Sequence, residues 1–230
     1  SPAGITRLDQ QELLVGAAVA VTESKFEVDE ANRSGGDADN DTSLLFVPSF
    51  YYSRPINDRW YVGAALTVPS GFGNEYGKNW AGRYLSEESD LAFVALAGTV
   101  GFRFDDHWSI GGGAIMMYTD STSKARINNP GGSNDGRIEL EEDGVGFGWQ
   151  LGLMYEISDS ARIGAVYRAE IDPDLSGEPD IDNLDPLLAA GLDALGLLDS
   201  DIDVDFTVPE MVQLGYYQAF GDGWSFTLDA

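Results

Sequence analysis

The stretch Leu44-Leu45-Phe46-Val47-Pro48-Ser49-Phe50-Tyr51-Tyr52-Ser53-Arg54-Pro55-Ile56-Asn57-Asp58-Arg59-Trp60-Tyr61-Val62-Gly63-Ala64-Ala65-Leu66-Thr67-Val68 decides the fold. In its first half the even positions are large or apolar, and the odd positions from Ser49 on carry hydroxyls. After the turn, Trp60, Val62, Ala64, Leu66 and Val68 share one face, and Tyr61, Gly63, Ala65 and Thr67 the other. Period-two alternation on both sides of a Pro/Asn/Asp turn predicts an antiparallel hairpin.

The pattern recurs. Tight turns at Asp105-Asp106-His107, Ser158-Asp159-Ser160 and Gly221-Asp222-Gly223 each join two alternating segments, and Trp60, Trp108 and Trp224 follow three of the four turns. Long polar stretches alternate with them, at 24–42, 70–90, 120–143 and 172–205. Short and long connections in strict alternation are the rhythm of an up-and-down barrel whose two rims differ. On 108–119 the even face runs from Trp108 to Tyr118, ten residues apart. At about 3.3 Å per residue and a tilt near 45°, that is roughly 23 Å, the spacing between the aromatic girdles of an outer-membrane barrel. A soluble sandwich strand would carry the same alternation, but would rarely segregate its loops so strictly. The fold class is therefore all-β, an antiparallel up-and-down transmembrane β-barrel, with nine strands counted along the chain.

Composition narrows the function. The net charge of −26 over 230 residues excludes nonspecific nucleic-acid binding, which needs basic surface. There is no cysteine, hence no disulfide framework or thiolate metal site. The longest clean apolar run, 13–21, is too short for a spanning helix and reads as a strand. The start Ser1-Pro2-Ala3-Gly4 lacks the basic and apolar regions of a signal peptide, so an exported protein is expected to have lost it before this numbering begins.

The acid concentrates in the long loops and reads as a solvated outer surface. Asp37, Asp39 and Asp41, and again Asp199, Asp201, Asp203 and Asp205, alternate like oxygen-ligand loops, but Thr42 and Val204 stand where such a calcium loop needs Gly and Pro48 where it needs Glu. No metal site and no cofactor is assigned. The only histidine, His107, sits in a short turn far from the long-loop rim, so a serine-histidine hydrolase lacks its base, and no acidic pair is singled out by spacing. The chain reads as a non-enzyme.

The inward faces are mostly Gly and Ala with scattered Met, Tyr and Thr, unlike the charged lining of a water-filled porin. That predicts a narrow, weakly polar interior, or one filled by another part of the protein. At Pro69, Ser70, Gly71, Phe72 and Gly73 strand pairing is expected to fail locally. Asp185-Pro186 supplies a helix cap and first-turn proline, and Leu188, Leu192 and Leu195 follow at helical spacing with Leu187 and Leu198 beside them. That helix is expected to bury its leucines against a neighbouring loop.

In order along nearly all 230 residues, Pro55-Ile56-Asn57-Asp58 with Trp60-Tyr61-Val62-Gly63, then Trp108-Ser109-Ile110-Gly111, Gly146-Phe147-Gly148-Trp149 continuing to Leu153-Met154-Tyr155-Glu156, Tyr167-Arg168-Ala169-Glu170 and Pro209-Glu210-Met211 resemble the FadL/TodX family of outer-membrane transporters for long-chain fatty acids and aromatic hydrocarbons. The resemblance implies a 14-stranded barrel plugged by an N-terminal hatch, with Pro2-Ala3-Gly4 similar to the Asn-Pro-Ala element at the hatch's end and Ser1 in place of the asparagine. Residues 1–10 would then be the end of the hatch and 11–230 a partial barrel lacking about five C-terminal strands.

Function follows as an expectation: passive uptake of a hydrophobic small molecule at the bacterial outer membrane, by a monomer whose other partners are outer-membrane lipid and lipopolysaccharide. The ligand would be captured in a groove between loop 120–143 and the helix of Leu187, Leu188, Leu192, Leu195 and Leu198. It would leave sideways at Pro69, Ser70, Gly71, Phe72 and Gly73. Lys124, Arg126 and Arg168 are the candidate cations for a carboxylate, although Glu170, two residues from Arg168, favours a lumen ion pair for that arginine. The alternative is a structural or adhesive surface protein whose acidic loops bind cations.

Overall fold

The computed structural model describes residues 1–28, 35–38, 41–132, 134–196, 198 and 202–230. Strands β1 (Glu12–Ser24), β2 (Asp41–Pro55), β3 (Trp60–Glu75), β4 (Glu88–Arg103), β5 (Trp108–Ile127), β6 (Gly136–Ser158) and β7 (Ala161–Arg168) form a meander. Three short strands follow, β8 (Asp174–Gly177), β9 (Pro179–Asp182) and β10 (Ile202–Asp205), with helix α1 (Pro186–Ala194) between β9 and β10. The chain then returns as β11 (Met211–Phe220) and β12 (Trp224–Asp229). The wall is the nine-strand path β1-β2-β3-β4-β5-β6-β7-β11-β12, antiparallel throughout, a half-barrel. Among the described residues no helix is long and apolar enough to cross a membrane.

Alternation sorts the two faces. Along β6, Val145, Phe147, Trp149, Leu151 and Leu153 are exposed, while Gly144, Gly146, Gly152 and Met154 are buried. Phe147 is 72% exposed, a value that fits a face turned to lipid rather than water. Trp108 and Tyr155 stack at 4.6 Å and Trp60 and Phe102 at 4.8 Å beside the short turns, forming the aromatic girdle of that rim.

Two expectations are corrected. The 120–143 segment is mostly strand: the ladder between β5 and β6 runs on to Ile127↔Gly136, leaving only a short loop. Its Ser, Thr and charged side chains suit a ladder bathed in water above the membrane, where polarity does not forbid pairing. Likewise 70–90 keeps strand to Glu75 and resumes it at Glu88. The alternating acids Asp39, Asp199 and Asp201 lie outside the described residues.

The Gly-rich inner face is filled. Residues Pro2–Arg7 form a short 3-10 helix inside the wall, with Ala3 and Thr6 fully buried. A β-carbon at Gly111 would lie 2.3 Å from the Pro2 carbonyl carbon, and one at Gly152 3.0 Å from Pro2 Cδ, so only glycine lets this segment lie flat on β5 and β6. Thr6 Oγ1 hydrogen-bonds to the Ala3 carbonyl and the Ser109 hydroxyl at 2.9 Å each. Arg103 donates to the Thr6 carbonyl, and Arg7 pairs with Glu156 at 2.7 Å.

Gly111→Val is expected to leave the wall assembled but expel this segment, at an overpacking cost of about 1–3 kcal/mol. With no native cysteine, a single Ala3→Cys reports it. That thiol should resist a water-soluble maleimide in the parent protein and react in the Gly111→Val background.

Candidate functional site

The short N-terminal helix is the floor of a cavity, and its ceiling comes from the far end of the sequence. After β7 the chain turns inward as a strap, 169–177, that runs along the inner face of β6. Ile171, 1% exposed, seats on glycines: a β-carbon at Gly146 would lie 2.7 Å from its Cγ2, and one at Gly148 2.5 Å from its Cγ1. Ile171 exchanges backbone hydrogen bonds of 3.0 and 2.8 Å with Val208. Phe206 stacks on Phe93 at 5.2 Å, and Phe93, Ala95, Ile115, Met117 and Ile171 make one apolar cluster. Sequence reading missed the strap because Ile171, Phe206 and Val208 are isolated apolar residues in acidic surroundings. The matching signal was the run of inward glycines opposite them.

Between floor and ceiling lies a cavity of about 580 Å³. Ile5 and Leu8 line it below, Ile115, Met117 and Ile171 above, and Ala64, Ala65, Ala95 and Ala97 on the wall. Its polar positions include Tyr51, Tyr52, Thr67, Thr99, Gln150, Glu12 and Arg168. This size and a lining more apolar than polar suit a small amphipathic or hydrophobic ligand.

Arg168 stands opposite Gln150 in the ladder between β6 and β7 and lines the cavity. The expected ion pair with Glu170 does not form: Glu170 is exposed, and Arg168 makes no ion pair among the described residues. The chain turns inward after Arg168, which ends β7 and removes the i, i+2 alternation that would have aligned the two. Arg168 Nε is buried with no hydrogen-bond partner among the described residues.

Lys124 and Arg126 are elsewhere and engaged. They sit on β5 above the membrane, where Lys124 Nζ bonds Glu88 at 2.8 Å and Glu139 at 3.2 Å, and Arg126 grips Glu87 at 2.6 Å. Cross-strand register puts Glu88 and Glu139 directly opposite Lys124 on its two neighbours. Hydrogen bonding to Glu88 raises the Lys124 pKa and fixes its charge within this network. Neither cation reaches the cavity lining.

The wall beside the cavity has a seam. Pairing of β3 with β4 continues through Ser70, Gly71, Phe72 and Gly73, with one bulge that sets Val68 and Pro69 against a single residue of β4. What ends is pairing on the other edge: β2 and β3 part after Ser49↔Thr67, although β2 goes on with β1 to Asp41 and β3 with β4 to Glu75. Thr67, Val68 and Pro69 line the cavity at that point, whereas the remaining residues of the expected break, Ser70, Gly71, Phe72 and Gly73, do not.

Helix α1 forms as expected. The Asp185 carboxylate accepts the Leu187 N–H at 2.9 Å, and Asn129 ties the helix start to the 128–135 loop through Asp185 N and the Asn183 carbonyl. Helix and loop are thus brought together, but the leucines are not buried: Leu187 is 84% and Leu195 73% exposed, and Leu188, Leu192 and Leu198 are half-buried. The helix is docked by hydrogen bonds at its start, not by its apolar face.

A further tie holds the 76–87 loop. Arg83 Nε bonds Asp135 at 2.8 Å, and the Tyr84 hydroxyl donates to the other Asp135 oxygen at 2.9 Å. The hydrogen bond from Arg83 holds the Asp135 carboxyl below the ordinary value of about 3.9. The tie is therefore at full strength above that value and is lost as pH falls through the lowered one. Limited proteolysis within 76–87 is expected to be flat from pH 7 to about 4.5 and to quicken only at more acid pH, and Asp135→Asn should be cut faster already at pH 7.

Comparison with known proteins agrees with this architecture. The family model described as outer membrane protein transport protein (OMPP1/FadL/TodX) matches residues 1–230. A long-chain fatty acid transport protein of Salmonella typhi is 26% identical, aligned over 98% of this chain and 56% of its own length. Outer membrane protein P1 of Haemophilus influenzae is 24% identical over 75% of this chain and 42% of its own. The chain spans about half the length of these curated relatives. Among solved structures, a Pseudomonas aeruginosa FadL homologue superposes with a TM-score of 0.81 at 19% identity, covering 99% of this chain and 61% of that one. The Pseudomonas putida toluene transporter TodX gives 0.70 at 18%, covering 99% and 63%.

Proposed function

Because the chain belongs to the FadL/TodX family of outer membrane transport proteins, we propose that it forms the ligand-holding half of a passive importer of hydrophobic small molecules. The carrying observation is the cavity of about 580 Å³, closed below by Pro2–Arg7 and above by Ile171, with Arg168 in its lining and the β2–β3 seam at its side. An apolar ligand gains about 25 cal/mol per Å² of surface buried there, which drives capture without an energy source.

The polar fittings define the ligand further. Arg168 has a buried donor without a partner among the described residues, so a ligand carboxylate would complete it and a pure hydrocarbon would leave it unpaired. This favours a fatty acid over an alkane or monoaromatic. Release through the seam needs no backbone hydrogen bond to break between β2 and β3, since none pairs them above Ser49↔Thr67. Outer-membrane lipid is then the receiving phase. The exposed Leu187 and Leu195 offer a first contact at the loop rim.

In cells lacking their own transporter, the full-length protein is expected to restore growth on a long-chain fatty acid as sole carbon source. Arg168→Gln should weaken fatty-acid binding to the purified full-length protein by about 10- to 100-fold, the size of one lost charge-assisted hydrogen bond, and leave binding of an uncharged alkane within about twofold. Equal losses for both ligands would remove Arg168 from the site. Absence of any uptake would overturn the transport reading.

A further inference from the structure

The strap meets one side chain that neither wall nor cavity explains. Glu142, on the inward face of β6 one step above Gly144, is 5% exposed, and its Oε1 has no hydrogen-bond partner among the described residues. On β5, opposite Gly144 and so diagonal to Glu142, Thr119 is fully buried and its hydroxyl is likewise without a partner among the described residues. The strap covers both. The Asp174 carbonyl lies over Gly144, where a β-carbon would come within 2.2 Å of it, and Gly177 presses on Glu142, whose Cγ would be 2.9 Å from a β-carbon there. A buried carboxylate without a partner costs far more charged than neutral.

We propose that the strap 169–177, clasped by Val208, is a lid over the cavity, and that the Glu142 carboxyl sets its hold: neutral, it stays under the closed lid; ionised, it draws in water and the lid opens toward the loop side. This rests on the transport reading only for its purpose; the lid itself is a property of the fold. To the wall it is attached by the Ala169 N–H to Trp149 carbonyl hydrogen bond, the glycine seat and pairing of β8 to β6 at Asp143↔Ser176; its other ties, the Ile171–Val208 hydrogen bonds and the β8–β10 ladder, are to the returning chain, which would move with it.

Among the described residues no neighbouring charge offsets Glu142. From β5 it faces Thr119 and Ser121, and from β4 the next positions are Phe93 and Leu91. Glu141 and Asp143 beside it, Asp174 on β8 and Asp90 on β4 are all exposed. Asp203 and Asp205 of β10 hold register positions opposite Ser176 and Asp174, not Glu142. The nearest cations on these strands, Lys124 and Arg137, are held by Glu88 and Glu139. Burial alone raises the Glu142 pKa above the ordinary value of about 4.3. The closed lid is therefore at full strength below that value and weakens as pH rises through the raised one.

The test is amide hydrogen exchange at Ile171 and Val208 in the full-length protein in detergent, with Glu142→Gln compared at each pH so that intrinsic exchange cancels. Parent and variant are expected to agree within about twofold at pH 4, with the parent exchanging several-fold faster at pH 8. Thr119→Val, which alters the same contact without a titrating group, should keep the parent's pH dependence and so controls for loosened packing. A parent-to-Gln ratio that is the same at both pH values overturns the lid. Uptake is scored separately: a pH-dependent ratio without uptake leaves the lid standing and removes the transport reading, and uptake with a constant ratio does the reverse.

Discussion

A strand in hydrocarbon has no water to receive its N–H and C=O groups, and each one left unpaired costs several kcal/mol. The meander meets that demand wherever a strand is flanked on both sides, and the outward side chains follow from it: Leu151 and Leu153 can face lipid because their backbone is already paired with β5 on one side and β7 on the other. The same demand makes the β2–β3 seam conspicuous. Above Thr67 the facing edges of two wall strands lack each other, at the height where Val68 and Pro69 line the cavity. Proline there has no N–H to leave orphaned, which makes it a cheap residue at a parting edge.

With the outer face committed to lipid, the inner face carries the distinguishing chemistry. A water-filled pore would line it with charge; this one is lined with glycine because polypeptide lies on it. Gly111 and Gly152 admit the floor, and Gly146 and Gly148 admit the ceiling. The two platforms are offset along the strands, so the filling is not continuous, and the gap left between them is the cavity. Its ceiling is apolar at Ile171, Phe206 and Met117, but the layer above holds the unpaired Glu142 and Thr119.

Charge is arranged by the same boundary. The net −26 is carried largely outside the membrane, where the cations Arg83, Lys124 and Arg126 are spent pairing loop and strand extensions to one another. Such pairs are worth little when exposed, yet here they are partly or fully buried and join loops to strand extensions, so they shape the rim more than they stabilise it. Arg168 differs because its strand ends before an acid can reach it.

Alternation around tight turns determined the strands, their antiparallel order, the lipid-facing set and the two unequal rims, since period two is a local property of the pleated chain. Asp185-Pro186 likewise determined the start of α1, because a cap and a first-turn proline act within one turn. Tertiary structure alone decided what lies on the glycines, because Ile171 and Val208 come from residues far along the chain and no local pattern pairs them with Gly146. It also decided which cations were free. Lys124, Arg126 and Arg168 look alike as residues, and only the folded chain sets Glu88 and Glu139 opposite Lys124, brings Glu87 to Arg126 and sets a glutamine opposite Arg168. Pro69 marked the site of the seam in the sequence, but which neighbour β3 would lose depended on where β2 stopped following it.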